Sequence, residues 1–160
     1  MQTFWHFVQS GYWWAAGATF VLAFCSAIMP WVNAEVLTLA LPALAGTTPR
    51  LLLLVALVTV GQMAGKCILY ESARRGMRVP RGRAGALIEQ LRAKLAGSPG
   101  KSVTVLGLSS SIGFPPFYLM SIVAGMLKMP FGWFLAAGTV GRFLRFGFFA
   151  FVPRAVISAF

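Results

Sequence analysis

Arg142 and Arg145 stand near the middle of the apolar run 130–152, and Glu35 stands inside another apolar run, 30–46. An arginine at the centre of a bilayer costs about 2.5–3.5 kcal/mol on insertion scales, so both must face protein or water. Three apart on a helix, they occupy neighbouring positions of one face and can converge on one ligand. The planar guanidinium fork binds phosphate oxygens in pairs. Glu35 can exchange a proton and can neutralise one arginine, which leaves net positive charge for an anionic head group. Asn33, Gln62 and Ser111, with its neighbours Ser109 and Ser110, complete this polar set. A structural ion pair between Glu35 and an arginine, holding the helices together, draws on the same residues equally well.

No catalytic constellation accompanies them. The chain has no Asp, three Glu and one His, too few groups for a carboxylate pair, a nucleophilic triad or a metal centre. The expectation is a protein that is not an enzyme, with no cofactor and no metal. His6 has no second His or Cys at ligand spacing, and Cys25 and Cys67 read as free thiols packed in helices.

The elements that must position the polar set are membrane helices. With 58% apolar residues, mean hydropathy +0.77 and 11% charged residues, the composition is that of an integral membrane protein, and 160 residues allow one small membrane domain, 1–160. Residues 1–10 read as an interfacial amphipathic segment and not as a signal peptide. Spans are expected over 12–29, 50–70 and 130–152, with Tyr12, Trp13 and Trp14 at one end of the first and Trp31 at the other, as in aromatic belts. Gly61 and Gly65 form a small-xxx-small face for helix packing, and Gly125 and Gly141 are further packing glycines.

Two shorter apolar stretches, 30–46 and 102–126, carry prolines that break helices: Pro42 in the first, Pro115 and Pro116 in the second. Both are expected to be re-entrant hairpins. Residues 44–65 and 123–145 also resemble each other, with Thr59, Val60 and Gly61 matching Thr139, Val140 and Gly141, and Gln62 opposite Arg142. The fold class expected is therefore an all-α integral membrane protein: about three transmembrane helices plus two opposed re-entrant hairpins arranged as an inverted repeat. A kinked full crossing over 102–126 is the competing topology.

Net charge is +11, and eight of the fourteen basic residues lie in the polar loop 71–101, which the positive-inside rule makes cytoplasmic together with the N-terminus. No aromatic residue interleaves those charges, so nucleic acid is not the expected partner. Within the loop, Leu87, Ile88, Leu91 and Leu95 form the stripe of a short amphipathic helix, expected to lie on anionic lipid.

Glu35, the spacing Gly61, Gly65, Tyr70 and Arg74, then residues 114–116, 123–126, 128–130 and 141–146 together resemble the DedA superfamily, also called the SNARE-associated or VTT-domain family, and most of all its short bacterial YqaA-like branch. The resemblance covers 30–149. It implies two opposed re-entrant hairpins, a bacterial inner-membrane location and the movement or scrambling of lipids, polyprenyl phosphate or phospholipid; proton coupling through Glu35 and a homodimer are further expectations. Glu35 matches the acidic residue of the first hairpin, and Tyr70 and Arg74 close the glycine motif. Ala73 stands where glycine is usual, and Ser111 and Phe117 stand where longer members carry arginines, which leaves Arg142 and Arg145 to supply the charge. The alternative function is a non-transporting protein that organises membrane or binds partners through the basic loop.

Overall fold

The computed structural model describes residues 2–29, 34–78 and 82–159, with side chains described over 11–29, 34–78 and 82–152. Every regular element among them is a helix: α1 (Gln2–Ile28), α2 (Ala34–Ala45), α3 (Thr48–Arg74), α4 (Arg83–Leu95), α5 (Pro99–Ile112), α6 (Phe117–Met126) and α7 (Phe131–Ala159). Three stretches are long and apolar enough to cross a bilayer, Gly11–Ile28, Thr48–Arg74 and Phe131–Val152, the pattern of a membrane-embedded protein. The 12 residues of α2 and the 10 of α6 rise only about 18 and 15 Å, well short of a hydrocarbon core of about 30 Å. Residue contacts group into two units, Met1–Gln62 with Phe146–Phe160, and Met63–Arg145.

In the first unit α1 runs unbroken from Gln2, so the segment 1–10, expected to lie apart at the interface, is continuous with the span. α1 packs against α2 and also meets α3 at Gly61, where a Cβ would stand 2.7 Å from the carbonyl oxygen of Phe20. Only glycine permits that approach. The core there is Ala23, Leu41, Leu51, Leu54, Val55, Val58, Phe146 and Ala150, all buried.

α2 runs through Pro42, which was expected to break it. The proline sits in the last turn, where it removes one hydrogen bond, to the carbonyl of Thr38, and no long helix has to continue past it. The Thr38 hydroxyl binds the turn before, donating to the carbonyl oxygens of Ala34 (3.1 Å) and Glu35 (2.8 Å). Asn33 and Trp31 lie outside the described residues.

In the second unit the proline pair does end a helix. α5 stops where Gly113 turns left-handed (φ 92°) and donates its N–H to the carbonyl of Ser109 (2.9 Å), and α6 begins just beyond Pro116. α6 packs against α5, and Pro99 and Gly100 at the start of α5 share one cavity with Leu127 and Met129 just past the end of α6. The chain thus folds back on itself at Gly113–Pro116. α6 is buried along nearly its whole length, and at Gly125 it comes so close to α3 that a Cβ would stand 2.9 Å from the Cβ of Ala73. Gly141 on α7 is pressed in the same way against α5, with an added Cβ 2.8 Å from that of Ser110.

α4 carries the expected stripe, but protein covers it. Ile88 and Leu95 are buried in the core formed with Leu119, Ile122, Val123 and Ala124 of α6, and Leu87 and Leu91 pack against that core. An apolar face spent on α6 cannot also enter lipid, which corrects the expectation of a helix lying on the bilayer. Its outer face keeps an exposed pair, Arg92 with Glu89 at 3.6 Å.

Candidate anion site at the start of α6

Phe117 and Tyr118 open α6 directly after the proline pair, and each ring carries a cation from a different long helix. The guanidinium carbon of Arg142, on α7, lies 4.7 Å from the Phe117 ring centroid. The ammonium of Lys66, on α3, lies 5.2 Å from that of Tyr118. Lys66 is only 4% exposed, and Arg142 acts on it electrostatically. Aromatic faces attract both cations through their quadrupoles, more strongly once water is excluded. Pro116 at the N-cap of α6 offers no side-chain cap, so the first-turn amide dipoles add positive potential at the same place.

Lys66 was not among the residues singled out in the sequence. It is an ionisable group within an apolar span, the same signal that marks the two arginines, but it lies a single turn before Tyr70, where a lysine reads as a snorkelling anchor. Its burial shows that the stem does not reach out of the protein.

Arg145 has a different partner. Its guanidinium donates to the backbone carbonyls of Ser111 (3.3 Å) and Ile112 at the end of α5. The Ser111 hydroxyl donates to the carbonyl of Gly107 (3.0 Å), so Ser111 contributes its backbone to holding Arg145. Gln62 is buried in the first unit, where its amide nitrogen donates to the Ser26 hydroxyl, which in turn donates to the Ala23 carbonyl (2.8 Å). That chain links α3 to α1. Glu35 is partly buried in the first turn of α2, also in the first unit.

Tyr70 anchors the second unit. Fully buried, it stacks on Phe134 (4.6 Å between centroids) and donates its hydroxyl to the carbonyl of Met129. Arg74 is half exposed, 3.9 Å from Glu71, which also accepts from Arg75 at 2.9 Å. Exposed pairs of this kind contribute about 0.2–1 kcal/mol. They matter here for the charge balance. The chain carries three Glu against fourteen Lys and Arg, and Glu71 and Glu89 sit beside Arg74 and Arg75 and beside Arg92.

Comparison with family models, with curated proteins and with solved structures returns no match for this chain.

Proposed function

We propose that the protein moves an anionic lipid, a phospholipid or a polyprenyl phosphate, across the bacterial inner membrane in the manner of the DedA superfamily that its motifs resemble. The observation that carries this reading is the convergence of Lys66 and Arg142 on the aromatic pair at the start of α6. Half-helix N-termini that point at anionic substrate groups are a recurrent device of transporters, and the N-terminus of α6 has two cations beside its first residues. The α5–α6 fold-back supports a re-entrant hairpin, because α5, with 14 residues, rises about 21 Å and α6 returns beside it. In this reading Glu35 is the proton-carrying group. Movement of labelled anionic lipid in proteoliposomes, with and without Lys66 and Arg142, tests the proposal.

A second reading rests on the basic loop. Arg74 and Arg75 keep 50% and 78% of their side chains exposed, as a surface for anionic membrane or an acidic partner requires. In that case neutralising the loop, and not the cations of the spanning helices, abolishes function.

A further inference from the structure

The cavity at the far end of α6 has a chemistry of its own. It encloses about 680 Å³ between the start of α5 and the turn into α7, with Leu95, Val103, Leu127 and Met129 among its walls and Lys128 and Trp133 at its rim. Ser102, also in the wall, spends its hydroxyl on the carbonyls of Leu95 (3.2 Å) and Ser98 (3.1 Å). The lining includes one cation and no acid.

Two observations identify the occupant. Trp133 is 61% exposed and stands at the beginning of the spanning stretch Phe131–Val152, where an aromatic side chain marks the head-group level of a bilayer. Lys128 closes α6 in a Schellman turn: its N–H bonds the carbonyl of Gly125 (3.0 Å) and that of Met129 bonds Ala124 (3.0 Å). The residue at this left-handed position, φ 51°, is ordinarily glycine, and a lysine there is strained. The strain leaves an exposed ammonium at the rim of an apolar cavity.

We propose that this cavity binds an anionic phospholipid, with the phosphate at Lys128, the glycerol region against Trp133 and the upper acyl chains along the apolar wall. The site is separate from the Lys66–Arg142 pair, which lies at the opposite end of the 10-residue α6, about 15 Å along the helix. It stands whether or not the protein moves lipid.

Native mass spectrometry of the delipidated full-length protein, titrated with phosphatidylglycerol or phosphatidylcholine, tests this. Wild type should retain phosphatidylglycerol several-fold better than phosphatidylcholine. Lys128→Gly should retain one phosphatidylglycerol fewer and melt at the same or a higher temperature, because glycine relieves the left-handed strain. Lys128→Arg should keep the preference. Equal phosphatidylglycerol retention by wild type and Lys128→Gly would overturn the proposal, as would Lys128→Arg losing as much as Lys128→Gly. Displacement of the lipid by millimolar inorganic phosphate would show a free-phosphate site and overturn it as well.

Discussion

Arg145 donates from its guanidinium to the carbonyl oxygen of Ile112, the last residue of α5. The contact places a full positive charge at the negative end of a helix and satisfies carbonyls that have no partner within it. Gly113 makes room: a Cβ there would stand 2.6 Å from the Arg145 Nη1, besides having to accept φ 92°. Charged hydrogen bonds of this type contribute about 1.5–3 kcal/mol each. Arg145→Gln is therefore expected to lower the melting temperature in detergent by several degrees, with Arg145→Lys recovering part of the loss, as thermal denaturation of the purified variants will show.

Gly125 sets how closely α6 can approach α3, and its neighbours there are the carbonyl oxygen of Tyr70, the Cβ of Ala73 and the backbone nitrogen of Arg74, which cannot move aside. Gly125→Val should sharply reduce the yield of folded protein. Gly132→Ala is the matched control, since an added Cβ meets nothing within 4 Å, and it should leave the melting temperature within a degree or two or raise it. Size-exclusion profiles and melting curves of the two variants separate close packing from general sensitivity to glycine loss.

Glu35→Gln keeps the shape of the side chain and removes its charge. If Glu35 carries protons during transport, the variant stays folded and monodisperse in detergent while transport falls at least tenfold. Unfolding of the variant would make Glu35 a structural acid and remove the basis for proton coupling.

The α5–α6 fold-back also has a topological consequence. If residues 71–101 are cytoplasmic, as the positive-inside rule expects, and the proposed hairpin returns to the side it left, α7 leads outward and a reporter fused after Phe160 should be active outside the cytoplasm. A cytoplasmic C-terminus would restore a full crossing at 102–126.

The break at Pro115 and Pro116 was legible because a missing amide hydrogen is a property of the residue itself, whatever surrounds it. The stripe of α4 was legible for a similar reason, since periodicity defines a face. What covers that face is a matter of tertiary contact, and α6 rather than lipid covers it. Pro42 misled because the same missing hydrogen bond matters little in a last turn. Spacing put Arg142 and Arg145 on one side of α7, yet their long side chains reach different groups, an aromatic ring and a helix end. Lys66 escaped notice because a lysine near the end of a span usually reaches water, and only packing shows that this one is enclosed.

The most direct test of the account concerns Lys66 and Arg142 together. Purified protein is reconstituted into liposomes containing a trace of fluorescent phosphatidylglycerol, and its movement between leaflets is followed by chemical quenching of the outer leaflet. Wild type should move the lipid well above protein-free liposomes, while Lys66→Met with Arg142→Gln should fall to near that background. Size-exclusion profiles and melting curves of the purified double variant show whether it is folded, so that loss of transport is told apart from unfolding. No lipid movement by wild type, or undiminished movement by the double variant, would contradict the assignment of this cation pair as the site for an anionic lipid.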